Sequence, residues 1–259
     1  MSFSPSDSPL ALPEGLQPLS ALDCARGAAW QPGQVNTGVP HAEVFASSRD
    51  GAGAAFALAL AQDRIAAADP DPAADTPDER AWLWVQDRDA IVRTGRPYRP
   101  GLPQSLRHRL VHVAAADAAD LLFAVEEGLR CRELAFVIAE VAGNPKALSF
   151  TASRRLSLVA ERHGVPLWLV RLDAARDLSS ARMRWQVAPA PSAPPRWNAQ
   201  APGKPTWRAD LFRARSHPPG EWLLHGENGR LVRAGQDRPV RRVAGVGEGL
   251  ARLKAIGAR

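Results

Sequence analysis

The chain has 259 residues, of which 45% are hydrophobic and 23% are charged, and its formal net charge is +6. This composition indicates a folded globular protein and excludes a disordered chain. The longest apolar run, "AAFALALA", is far shorter than the roughly 20 residues of a membrane-spanning helix, and "MSFSPSDSPL" at the N-terminus lacks the features of a secretory signal. We therefore expect a cytoplasmic protein with no membrane contact.

Residues that bind metals or act as nucleophiles form no recognisable pattern. Cys24 and Cys131 are the two cysteines, and neither belongs to a C-x-x-C or Cys/His motif. The six His residues are scattered, and no H-E-x-x-H or G-x-S-x-G motif is present. The sequence predicts no metal site, no cofactor and no catalytic residue.

Composition divides the chain into three parts. Residues 1–40 form a Pro- and Ser-punctuated N-terminal arm, residues 41–190 form the core, and residues 191–259 form a basic extension rich in Pro, Trp and Arg. Residues 196–259 hold 13 Lys and Arg against 5 Asp and Glu, a net charge of +8, which leaves −2 for the rest. This asymmetry favours contact with a polyanion or an acidic partner, or it keeps the tail solvated.

Strands and helices are predicted to alternate through the core. The predicted strands are "HAEVF", "AWLWVQD", "RLVHVAA", "LAFVIAEV" and "VPLWLVRL". The predicted helices cover about 53–68, 117–131 and 149–164, and residues 88–106 are predicted to be a loop. This order predicts an α/β fold with a mostly parallel sheet flanked by helices.

Beyond residue 173 the pattern changes to that of antiparallel strands. "RMRWQVAPAPS" alternates with period two, and residues 205–235 predict two or three short strands joined by "HPPG" and "GENG" turns. We therefore expect a small antiparallel β extension at the C-terminus.

The segment "ASSRDGAG" (residues 46–53) stands between a strand and a helix, where a phosphate-binding loop would stand. Such a loop, G-x-x-x-x-G-K-[ST], wraps phosphates with backbone N–H groups, while its Lys and hydroxyl reach the phosphates and Mg²⁺. Here Ala46 replaces the first Gly, Ala52 the Lys and Gly53 the hydroxyl residue. Gly51 and Gly53 are predicted to provide a tight turn. The sequence thus predicts a degenerate loop without ATPase activity.

Two acidic residues end neighbouring strands of the predicted sheet. Asp87 follows "AWLWVQ" and Glu140 ends "FVIAE", positions at which a nucleotide-hydrolysing enzyme holds Mg²⁺ or activates water. Because the loop has no Lys, we favour solvated or hydrogen-bonded strand ends without a catalytic role.

Arginines beside aromatic residues are the candidates for contact with DNA or a protein partner. "GRPYRPGL" places Tyr98 between Arg96 and Arg99, where the two cations and the ring suit phosphate and base, or Tyr98 packs on the sheet edge. In the extension, Trp185, Trp197, Trp207 and Trp222 either stack on a partner or cover a small β-layer. The arginine candidates there are Arg208, Arg213, Arg215, Arg241 and Arg242.

Much of the chain resembles the ImuA family. The resemblance covers about residues 41–222 and includes "AWLWVQDRDA", "GRPYRPGL", "ADLLFAVEEGLRC" and "PSAPPRW". It is most specific in "NPKALSFTASRRLSLVAERHGVP", at the positions Pro145, Lys146, Ala152, Ser153, Arg154 and Arg155.

The resemblance implies a RecA-like core without a competent ATPase site, related to that of SulA-type division inhibitors. It implies a non-catalytic accessory role in SOS-induced error-prone translesion synthesis, with RecA, an ImuB-type Y-family polymerase homologue and a DnaE2-type polymerase as partners. DNA contact is direct or through these partners. Two alternatives stay open: a SulA-like division inhibitor, and a RecA-like ATPase that uses Arg49 in an atypical nucleotide site.

Overall fold

The computed structural model describes residues 41–68, 78–195, 197–198, 200–215 and 218–234. The predicted N-terminal arm and the end of the basic tail, with Arg241 and Arg242, lie outside the described residues. Among the helices that are described, none is long and apolar enough to cross a bilayer.

The described strands form one nine-stranded sheet in the order β3-β2-β4-β5-β1-β6-β7-β8-β9. Its strands are β1 (His41–Ala46), β2 (Ala81–Gln86), β3 (Leu110–Ala114), β4 (Leu134–Ala142), β5 (Leu167–Leu172), β6 (Met183–Ala190), β7 (Thr206–Ala214), β8 (Gly220–Glu227) and β9 (Arg230–Arg233). Pairing is parallel from β3 through β6 and antiparallel from β6 to β9. The predicted fold class, a mostly parallel sheet with an antiparallel C-terminal part, is confirmed.

Helices cover both faces of the sheet. They are α1 (Ala52–Ala68), α2 (Arg88–Thr94), α3 (Gln104–Arg107), α4 (Ala118–Arg130) and α5 (Phe150–His163), with a 3₁₀ turn at Arg99–Gly101. One apolar cluster contains Phe56 of α1 together with Trp82, Trp168 and Trp185. A second contains Leu121 of α4 with residues of α5 and of the opposite sheet face. The sheet is therefore the middle layer of the described structure.

The long helices begin and end where their sequences predict. Asp117 caps α4, and its side chain accepts hydrogen bonds from the N–H groups of Ala119 and Asp120. Ser149 caps α5, which ends at Gly164 in the left-handed conformation with φ 77°. These end signals confirm the predictions for the two helices.

Two sequence predictions were wrong in detail. Residues 88–106 are not a continuous loop, because they contain α2 and α3. These helices have seven and four residues, which is too short for a helical period to show in the sequence. The segment "RMRWQVAPAPS" is not purely antiparallel, since β6 pairs in parallel with β1 on one side and antiparallel with β7 on the other.

Candidate functional site at the carboxyl edge of the parallel strands

Two backbone N–H groups of the loop between β1 and α1 are occupied by the protein's own carboxylates. The N–H of Ser48 donates to Asp173 Oδ1 at 3.0 Å, and the N–H of Ala52 donates to Asp50 Oδ1 at 2.9 Å. In a phosphate-binding loop such N–H groups point at the ligand. Here they already bind two anionic side chains, which would also repel a phosphate.

Gly53 lies where α1 approaches the sheet most closely. A Cβ atom at this position would be 2.7 Å from Cβ of Ala46 and 2.9 Å from Cγ1 of Val170. The chain turns tightly between β1 and α1 over residues 48–51, and neither Gly51 nor Gly53 has a positive φ there. Gly53 is required for packing, and the position has no room for the hydroxyl residue of a phosphate-binding loop.

Asp173 joins the loop to two other elements. It follows β5 with φ 51°, accepts the hydrogen bond from Ser48, and forms a 3.1 Å salt bridge with Arg93 of α2. The hydrogen bonds from Ser48, and then the Arg93 guanidinium, hold the pKa of Asp173 below its usual value. Asp173 is therefore ionised at neutral pH beside the loop. Arg49, the cation within the loop, is exposed, and its N–H donates to Ser47 Oγ at 3.1 Å.

Glu140 at the end of β4 is buried, with 1% of its surface exposed. Its Oε1 accepts hydrogen bonds from Trp84 Nε1 at 2.6 Å and Gln86 Nε2 at 3.3 Å, and Thr94 Oγ1 lies 3.5 Å from Oε2. Burial raises the pKa of Glu140 to about 7, although these hydrogen bonds oppose the shift. The carboxyl group is thus held by the protein interior.

Asp87 is also largely buried. It is 4% exposed, and its Oδ1 accepts a 2.7 Å hydrogen bond from the N–H of Ala90, which caps α2. Burial raises the pKa of Asp87. Of the two sequence interpretations of Asp87 and Glu140, hydrogen-bonded strand ends are confirmed and solvated ones are wrong.

A buried ionic cluster on β1, β5 and β6 was missed by the sequence analysis. Glu43 Oε2 lies 2.6 Å from Arg184 Nε, and its Oε1 lies 3.6 Å from Arg171 Nη1. Arg171 in turn lies 3.1 Å from Asp177. Glu43, Arg171 and Arg184 are 0%, 1% and 3% exposed. A single charged residue inside each of the apolar runs "HAEVF" and "LWLVRL" was the available signal.

The sequence of the chain is similar to that of known proteins. No family model matches the chain. The chain is 36% identical over 157 residues to two curated relatives. Both are named Protein ImuA, and they come from two different strains of Caulobacter vibrioides. The alignment covers 57% of this chain and 61% of each relative.

This similarity supports an ImuA family assignment.

The aligned part of this chain spans less than two thirds of the relatives' own length. The resemblance to the ImuA family that the sequence motifs indicated is confirmed by this sequence identity.

The structure places the three predicted partner-binding residues near β3 in different surroundings. Tyr98 is 74% exposed, so the alternative in which it packs on the sheet edge was wrong. Arg99 Nη2 instead donates to the Leu110 carbonyl of β3 at 3.1 Å. Arg96 is exposed, and its charge contributes, after burial, to the lowered pKa of His112.

The predicted arginines of the extension lie in two places. Arg208 forms a 3.5 Å ion pair with Glu221 of β8. Arg213 and Arg215, at the end of β7, line a groove against α5. The tryptophans mostly cover the β-layer: Trp185 and Trp207 are buried against Phe56, whereas Trp197 is 81% exposed.

No group of His, Cys, Asp and Glu suited to hold a metal ion occurs in the part of the chain that the structure describes.

Proposed function

We propose that this chain is a non-catalytic accessory protein of SOS-induced error-prone translesion synthesis. It links RecA and damaged DNA to an ImuB-type Y-family polymerase homologue and a DnaE2-type polymerase. Similarity to two relatives named Protein ImuA supports a role in damage-induced mutagenesis. The partners, the adaptor role and cytoplasmic localisation are parts of the proposal.

The observation that carries the non-catalytic part is the loop after β1. A competent loop leaves its N–H groups free for phosphate and supplies a Lys and a hydroxyl. Here Asp50 and Asp173 accept hydrogen bonds from loop N–H groups, Ala52 occupies the Lys position, and the surroundings of Gly53 exclude a side chain. These features support loss of nucleotide hydrolysis on a fold that retains the strand, loop and helix.

The buried carboxyl groups of Glu140 and Asp87 also support a non-catalytic role. A carboxylate that holds Mg²⁺ must present oxygens to the ligand. Glu140 Oε1 instead accepts hydrogen bonds from Trp84 and Gln86, and Asp87 Oδ1 accepts one from the α2 backbone. Arg49 is the one loop residue that favours the alternative of an atypical nucleotide site, because it is exposed and always charged.

Nucleotide binding and turnover by the purified full-length chain test this part. ATP with Mg²⁺ is titrated against the chain and its Arg49→Ala variant, and phosphate release is followed under the same conditions. We expect no Mg²⁺-dependent binding and no turnover by either protein. Turnover by the unaltered chain that Arg49→Ala abolishes would establish the atypical ATPase in its place.

The partner part needs a separate experiment in damage-treated cells. The chain is captured from these cells, and RecA, the Y-family homologue and the polymerase are each probed, with and without nuclease treatment. We expect all three partners, and their retention after nuclease treatment indicates protein contacts. Filamentous cells on overproduction, independent of any polymerase partner, would favour the SulA-like division inhibitor.

A further inference from the structure

A groove of about 440 Å³ runs along α5, between this helix, residues 179–182 and the end of β7. Two large apolar side chains of α5 line it and remain exposed, Phe150 at 48% and Leu158 at 55%. Arg154 lies between them, so the three residues are spaced four apart and share one face of the helix. The groove therefore combines exposed apolar surface with a cation in its centre.

The groove also has an excess of positive charge. Arg154, Arg213 and Arg215 line it, and no side-chain ion pair or hydrogen bond of these three involves another described residue. Arg182, which also lines it, is neutralised by Glu161 at 2.5 Å. A fitting occupant therefore has apolar side chains together with a few carboxylates.

The start of β1 lies directly behind the groove wall. Nδ1 of His41 lies 2.6 Å from Oγ of Ser157, and the N–H of Arg182 donates to the His41 carbonyl at 2.8 Å. Ser157 and Arg182 both line the groove. The 40 residues that precede His41 are thus tethered directly beside it.

The preceding segment has the composition that the groove requires. Residues 10–24, "LALPEGLQPLSALDC", contain five Leu residues together with Glu14 and Asp23 and no basic residue. The 16 residues between Cys24 and His41 can span at most about 55 Å when extended. Tethering so close to the site raises the effective concentration of the segment to the millimolar range.

We propose that residues 10–24 of the same chain dock in this groove, with leucines on Phe150 and Leu158 and carboxylates facing Arg154, Arg213 and Arg215. The groove is then an intramolecular docking site. A partner that binds α5 must displace the arm first.

Disulfide trapping in the full-length chain tests the docking, because Cys24 is a natural thiol of the segment. The exposed Cys131 is removed by Cys131→Ser, and a second thiol is introduced by Leu158→Cys in the groove. The matched control carries Val92→Cys, a 79% exposed position on α2. Both proteins are treated with a copper–phenanthroline oxidant and separated without reductant.

We expect a rapid intrachain crosslink to Cys24 with Leu158→Cys and a yield at least about fivefold lower with Val92→Cys. Equal yields overturn the proposal, and so does a crosslink that appears only between two chains, which assigns the groove to a second copy. Adding Arg213→Glu and Arg215→Glu, both at exposed positions, should reduce the yield about fivefold, as expected for the loss of roughly 1 kcal/mol of charge attraction. An unchanged yield overturns the role given to the arginines.

Discussion

Replacing Gly53 by Ser should destabilise the protein, although it adds the hydroxyl found in phosphate-binding loops. The new Cβ would lie 2.7 Å from Cβ of Ala46 and 2.9 Å from Cγ1 of Val170, whereas carbon atoms in contact are normally about 3.5–4.0 Å apart. Ala46 and Val170 are 4% and 0% exposed. The Cβ of Ala46 cannot rotate away, so α1 has to move from the sheet.

Two opposing effects set the magnitude. Overpacking of a buried site costs about 1–3 kcal/mol, while replacing Gly by Ser inside a helix gains roughly 0.5 kcal/mol of helix propensity. Steric cost exceeds propensity gain, so we expect Gly53→Ser to lower the free energy of unfolding by about 1–2 kcal/mol.

Urea unfolding of the full-length chain measures this difference, with Gly51→Ser as the matched control. A Cβ at Gly51 meets no atom within 4 Å, and Ser is favoured at a helix N-cap, so the control should change stability by less than about 0.5 kcal/mol. If Gly53→Ser is as stable as Gly51→Ser, the close approach of α1 to the sheet does not constrain this position, and the steric argument about the loop fails.

Three further predictions concern buried ionisable groups. Since the pKa of Glu140 is raised to about 7, its contribution to the free energy of unfolding is present below pH 4.5 and is lost as the pH rises through 7. Glu140→Gln should therefore reduce the fall in stability over this pH range by up to about 3 kcal/mol. Equal slopes of stability against pH in the two proteins would contradict this prediction. Burial, and to a lesser extent the charge of Arg184, lowers the pKa of His41 to about 4. The contribution of His41 to the free energy of unfolding is therefore present above pH 6.5 and is lost as the pH falls through 4. His41→Gln should flatten that part of the stability profile, and a profile unchanged in acid argues against a buried neutral imidazole. Glu43→Gln leaves the carboxylate of Asp177 against the two guanidiniums of Arg171 and Arg184, so one buried positive charge loses its partner. The change should cost about 3–5 kcal/mol in urea unfolding, whereas a loss below about 1 kcal/mol would mean that water reaches the cluster.

The elements that the sequence predicted correctly are those whose signal is local. β4 has nine residues, all apolar except Glu140, as expected of a strand buried on both faces. The helix α4 begins at a capping Asp and has apolar residues at helical spacing. In α2 the signal was too short to recognise, and only the contact between Asp87 and Ala90 marks its start.

The candidate site was predictable only in part, because its contacts join distant parts of the chain. The absence of Lys and hydroxyl residues from the loop is visible in the sequence. The hydrogen bond from Ser48 to Asp173 spans 125 residues, and the pair of Glu43 and Arg184 spans 141. Such contacts depend on β1 lying between β5 and β6, which local patterns do not specify. The division of the chain at residues 40 and 190 stays a prediction.

The damage-induced mutation frequency per surviving cell is the decisive measurement for a non-catalytic accessory role. It is measured in the organism that encodes the chain, with the unaltered chain, with Arg49→Ala, and with no copy. We expect full induced mutagenesis with the unaltered chain and with Arg49→Ala, and background mutagenesis with no copy, while cell division stays normal in all three. Induced mutagenesis that persists without the chain, or that requires Arg49, would contradict a non-catalytic accessory role.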